Sequence, residues 1–63
     1  MKSRFMTTEF GYIEIREYYK NRGTSDVYFV EGEIWIGTIN VNIAHDTNAV
    51  VREKLRDLFG RNN

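Results

Sequence analysis

Val27-Tyr28-Phe29-Val30-Glu31-Gly32-Glu33-Ile34-Trp35-Ile36 sets the parity of the whole chain. Val27 to Val30 is β-branched or aromatic throughout, the composition that suits a pleated, half-buried surface. Glu31-Gly32 reads as a two-residue hairpin turn, with Gly32 supplying a positive φ at no steric cost. The returning strand is then Glu33-Ile34-Trp35-Ile36. This turn puts Phe29 opposite Ile34, Tyr28 opposite Trp35 and Val27 opposite Ile36. Side chains alternate between faces along a strand, so Val27, Phe29, Ile34 and Ile36 share one face. Tyr28, Val30 and Trp35 share the other.

Working towards the C-terminus, the apolar positions become Ile39, Val41 and Ile43. Counting by twos from Ile36 misses Ile39, so the inward parity changes near Gly37. A glycine at such a change points to a β-bulge or a second tight turn. One long bulged third strand is predicted, with a short fourth strand after Gly37 as the alternative. A helix is predicted over 47–59. Asp46, Thr47 and Asn48 are all suitable N-caps, and Val51, Leu55, Leu58 and Phe59 form one apolar stripe at i, i+4, i+7 and i+8. Gly60 reads as the residue just past the helix end.

Working towards the N-terminus, Lys20 to Asp26 is polar and contains Gly23, so it reads as a hairpin loop. Before it, Ile13 and Ile15 alternate with Tyr12, Glu14, Arg16 and Tyr18, the period of two of a strand. Residues 1–8 read as a loose arm, with pairing to the sheet left open. The fold class is therefore α+β, a single domain over 1–63: a three-stranded antiparallel meander (sheet over 10–43) packed on one face by a C-terminal helix, β-β-β-α. Its expected core is Ile13, Ile15, Val27, Phe29, Ile34 and Ile36 against Val51, Leu55, Leu58 and Phe59.

The totals fit that layout. A chain of 63 residues buries only about 60% of the surface its unfolded form exposes, which leaves a thin stability margin. With no cysteine and one histidine, disulfides and thiolate zinc sites are excluded as supports, and association remains as one. Nine basic and nine acidic residues cancel, whereas nucleic-acid binders usually carry a basic excess. No stretch approaches the ~20 apolar residues of a membrane span, and the charged start lacks the apolar segment of a signal peptide. A cytoplasmic protein is expected.

Catalytic chemistry finds little to stand on. Ser3 and Ser25 are the only serines, placed in the arm and the loop. His45-Asp46 is the only histidine–carboxylate neighbour pair, and a turn entering a helix explains it, with Asp46 as a cap. Glu14 and Glu17 point to opposite faces, Glu31 and Glu33 read as solvated at a turn, and Glu53 and Asp57 as a solvated helix face. Phosphate-binding glycine motifs are absent. No enzyme activity, metal site or cofactor is expected.

The face away from the helix carries the candidate site: Tyr12, Arg16, Tyr18, Tyr28 and Trp35. Exposed apolar patches mark contacts, and Tyr, Trp and Arg dominate binding hot spots. The expected function is a small non-catalytic protein-binding or regulatory module, docking on a partner protein or on a second copy as a homodimer. A phage- or mobile-element-type inhibitor of a larger host assembly suits that size. The alternative is a nucleic-acid-binding protein on the same face, with aromatics stacking bases and Arg16, Lys20, Arg22, Lys2 and Arg4 meeting phosphates. The plainer reading of the aromatics is cross-strand pairing that stabilises the sheet, with Phe5 and the arm folded over them.

Overall fold

The computed structural model describes residues 1–20 and 23–61. Among them, strands β1 (Lys2–Thr8), β2 (Gly11–Glu17), β3 (Ser25–Phe29) and β4 (Ile34–Ile39) precede helix α1 (Asn48–Arg61). The strands form one open antiparallel sheet in the order β1-β2-β3-β4. The α+β class, the meander and the C-terminal helix are as expected, but the sheet has four strands, because residues 1–8 are not a loose arm. Lys2 to Thr8 pairs residue for residue with Gly11 to Glu17. The connecting turn is tied by Thr8, whose Oγ1 accepts from the Phe10 and Gly11 amides at 3.1 and 3.2 Å and donates to the Gly11 carbonyl at 2.8 Å. Such hydroxyl–backbone bonds imitate a backbone turn. Met6 is thereby carried into the core, 5% exposed.

The expected pairs Phe29–Ile34 and Tyr28–Trp35 are present. The turn between them is longer than two residues: a short 3-10 turn over Glu31–Glu33 follows Val30, and both Gly32 (φ 80°) and Glu33 (φ 50°) have positive φ. Beyond Trp35 the register departs from expectation. Val27 faces Gly37 instead of Ile36, so Ile36 is the extra residue of a bulge. The parity change occurs just before the glycine, which brings Gly37 onto the helix side. A Cβ there would lie 2.7 Å from Leu58 Cδ1, so the sheet meets the helix closely at a position without a side chain.

The strand also ends earlier than predicted. Asn40 to Ile43 leave the sheet, yet Val41 and Ile43 remain buried beneath α1. The helix is capped by Thr47, whose Oγ1 accepts from the Val50 amide at 3.3 Å. Asp46 instead holds the preceding turn by accepting from the Asn42 amide at 2.9 Å. Gly60 does not stop the helix, which runs on to Arg61.

Met6, Ile13, Ile15, Val27 and Ile39 from the sheet close against Val51, Leu55 and Leu58, with Val41 and Ile43 filling one end. Phe29, Ile36 and Phe59 pack at its margin. Ile34 is the correction to the expected core: it shares the inward parity but is 58% exposed, as the first residue of β4, an edge strand of the sheet. Burying each aliphatic side chain is worth roughly 1.5–3 kcal/mol before chain entropy is subtracted, so a core of this size leaves a small net stability.

Candidate interaction face

The register assembles the face opposite α1. Phe5, Glu14, Tyr28 and Trp35 stand in one row across all four strands, and Ser3, Arg16, Asp26 and Thr38 in the next. Tyr12 pairs with Thr7 beyond the first row, where its carbonyl accepts from the Val30 amide at 3.1 Å. Tyr12, Arg16, Tyr28 and Trp35 therefore lie on one face, as their spacing predicts. Tyr18 follows the end of β2, half-buried, with its hydroxyl directed at Arg16 and Tyr28.

Two kinds of aromatic occupy this face. Phe5, Tyr12 and Trp35 are open, 52%, 52% and 57% exposed. Phe5 and Tyr12 stack with ring centroids 5.9 Å apart. The residues 1–8 thus extend the face from its edge and do not fold across it. Tyr28 is half-buried, because the Arg16 guanidinium lies over its ring at 4.0 Å. That guanidinium also bonds Glu14 at 2.8 Å and Glu33. Glu33 is consequently engaged, and is not simply a solvated turn residue. Its engagement is where the positive-φ turn delivers it, over the sheet from beyond β3.

The electrostatics follow from those contacts. The hydrogen bond from Arg16 holds the Glu14 carboxyl below its ordinary range, against the opposing effect of burial. Hydrogen bonds to Glu14 and then Glu33 keep the Arg16 guanidinium more firmly protonated than usual. Desolvation, followed by the hydrogen bond of its hydroxyl to Tyr18, raises the Tyr28 phenol. Asp26 stands at the edge of the indole and accepts from Trp35 Nε1 at 3.4 Å.

The cations named for phosphate contact are dispersed. Arg4 has the parity of Ile15 and reaches the other way, to the Ile43 carbonyl and Asn48. Lys2 shares that parity, opposite Glu17. Lys20 is exposed in the hairpin loop, and Arg22 lies outside the described residues. Ser25, expected in that loop, opens β3 and is buried, its hydroxyl without a partner among the described residues. His45 is exposed, and the Asp46 carboxylate faces the Asn42 amide and Lys54 (3.5 Å). The Asn42 amide, first, and Lys54 hold its pKa down. Among the described residues no three His, Asp or Glu side chains gather as metal ligands, and no helix is long and apolar enough to cross a membrane.

Sequence reasoning missed three apolar members of this surface. Phe5 was read only as part of an arm folding over the aromatics because β1 was unread, although Phe5 alternates with Arg4 and Met6. Ile34 was assigned to the core. Phe10 is 40% exposed and stacks on Phe59 at 4.1 Å. Phe10, Tyr12, Phe29, Val30 and Ile34 line an open groove that carries the apolar surface round the end of the sheet. Comparison with known protein families, curated proteins and solved structures finds no match for this chain.

Proposed function

We propose that this protein is a non-catalytic binding or regulatory module that docks on a partner protein through the sheet face opposite α1. The observation that carries the reading is the exposure of Phe5, Tyr12 and Trp35 together on one rigid, uncovered face. Rings mounted on paired strands lose little conformational freedom on binding, which is why such residues make effective anchors. A small regulator or inhibitor of a larger assembly, of the kind that phages and mobile elements encode, fits this design, in a cytoplasmic setting. The dispersal of Lys2, Arg4 and Lys20, and the engagement of Arg16 by two carboxylates, weigh against phosphate contact on this face.

Trp35 is the sole tryptophan and reports on the face directly. In the isolated protein its fluorescence should be readily quenched by acrylamide, and a bound partner should shield it. Affinity capture with the wild type and with Trp35→Ala, both checked for an unchanged fold by circular dichroism, tests the reading. A partner held by the wild type and released by the variant supports it; equal retention by both refutes it. Sedimentation of the free protein distinguishes a second copy as occupant.

A further inference from the structure

We infer that the partner surface is cationic and presents arginine to this face; the inference rests on the docking reading above and specifies its chemistry. Charge is divided unevenly over the molecule. Among the described residues, the outer sheet face carries Glu14, Asp26 and Glu33 against Arg16, three carboxylates to one guanidinium. Helix α1 carries Arg52, Lys54, Arg56 and Arg61 against Glu53 and Asp57, four cations to two anions. A net charge of zero therefore conceals an acidic, aromatic front and a basic back. The front attracts positive partners and repels phosphate.

The face also displays how it holds a guanidinium. Arg16 lies flat on Tyr28, with Glu14 at its edge and Glu33 closing from the turn. An aromatic plane beneath and a carboxylate beside it satisfy both the π-face and the planar N–H fork of arginine, which a lysine ammonium matches less well. Trp35 and Asp26 repeat these two elements with no cation seated between them among the described residues. The indole is 57% exposed, and Asp26 is fixed at its rim by the Nε1–H bond. Asp26 has no ion-pair partner among the described residues. An arginine arriving from a partner would stack on the indole and pair with Asp26, while Phe5 and Tyr12 take apolar neighbours at the far edge.

The test is selection of a random peptide display library on the intact protein, with oligonucleotides and a second copy as competing occupants. Peptides enriched in arginine, weakened about tenfold or more by Trp35→Ala and by Asp26→Asn combined with Glu33→Gln, would support the inference. Lysine replacement of the selected arginines should weaken them further. The paired carboxylate variant keeps side-chain size, and its melting curve checks its fold. Peptides that depend on Trp35 but show no arginine enrichment would overturn the cationic partner and leave the docking face standing. Peptides indifferent to Trp35, or none, would overturn both. Tighter binding of single-stranded DNA through the same face, or a salt-stable dimer closed over it, would overturn the cationic protein partner.

Discussion

Across β1 to β4 the inward row reads Met6, Ile13, Phe29 and Ile34, and the outward row one position away reads Phe5, Glu14, Tyr28 and Trp35. Both rows ride on the same backbone and differ only in which side of the pleat they leave. The inward row is uncharged and, except for Ile34, packs into or against the core under α1. The outward row carries three rings and one carboxylate, with Phe5 and Trp35 open and Glu14 and Tyr28 half-buried beside Arg16. On the docking function proposed above, stability and recognition fall to alternate residues, so substitutions one position apart should have unrelated consequences. In a chain this short, that division leaves the outward face free to vary without drawing on the core.

The largest expected contrast pairs Leu55 with Trp35. Leu55 is 1% exposed at the centre of the core, and Leu55→Ala should cost roughly 2–5 kcal/mol of unfolding free energy in urea titration. Trp35→Ala removes an exposed ring and its cross-strand pairing with Tyr28, at roughly 0.2–1 kcal/mol. Equal losses at the two positions would abolish the division between faces. A second pair places the same question on β1. Met6→Ala should cost about 2 kcal/mol, and Phe5→Ala well under half of that. If neither matters, β1 contributes no packing and the first strand frays in solution.

Much of this division can be read in the sequence because a period of two is hard to disguise where both rows are strongly typed. Ile13, Ile15 and Val27 declare the inward side, and Tyr12, Tyr28 and Trp35 the other. Reading failed where the typing is mixed. In β1 the inward positions include Lys2 and Arg4, so the alternation looks polar, although Arg4 is accommodated by reaching the Ile43 carbonyl and Asn48. Val41 and Ile43 continue an apparent alternation, yet a connection outside the sheet that buries both side chains produces the same pattern. Parity also carries no information about how far α1 extends along the sheet, which is why Ile34 was placed in the core. Gly60 lacks the positive φ of a helix stop, and a glycine near a helix end does not by itself enforce one. The chemistry of the candidate face was legible only as residue types; the seating of Arg16 between Tyr28 and two carboxylates needs the register.

Gly37 tests the inward side at finer scale. Its close approach to Leu58 is possible because the bulge at Ile36 turns a residue without a side chain towards the helix. Gly37→Ala should therefore cost about 1 kcal/mol, as the Leu58 side chain is displaced within a packed core. Trimming the opposing side chain, with Leu58→Val added to Gly37→Ala, should give a cost smaller than the sum of the two single changes. Strict additivity in that double-mutant cycle would mean that the two residues do not touch.

The smallest effect lies on the outward side and depends on pH. Glu14 has its carboxyl held below its ordinary value of 4.5, chiefly by the hydrogen bond from Arg16. The folded protein thus binds this proton less readily than the unfolded chain does. Its contribution to stability is complete above the unfolded value and is lost as pH falls through the lower, folded one. Asp46, held down by the Asn42 amide, follows the same sign from 3.8 and is unaffected by changes at Glu14. Glu14→Gln should therefore destabilise the protein by a constant small amount near neutral pH. The gap between variant and wild type should narrow once pH drops below about 4.5, while a residual acid slope persists in both. Urea titrations of the two proteins from about pH 7 down to pH 3 measure this gap. A gap that stays constant or widens in acid would show that Arg16 does not favour the ionised form of Glu14, and that the guanidinium is held on the outer face by Tyr28 and Glu33 alone.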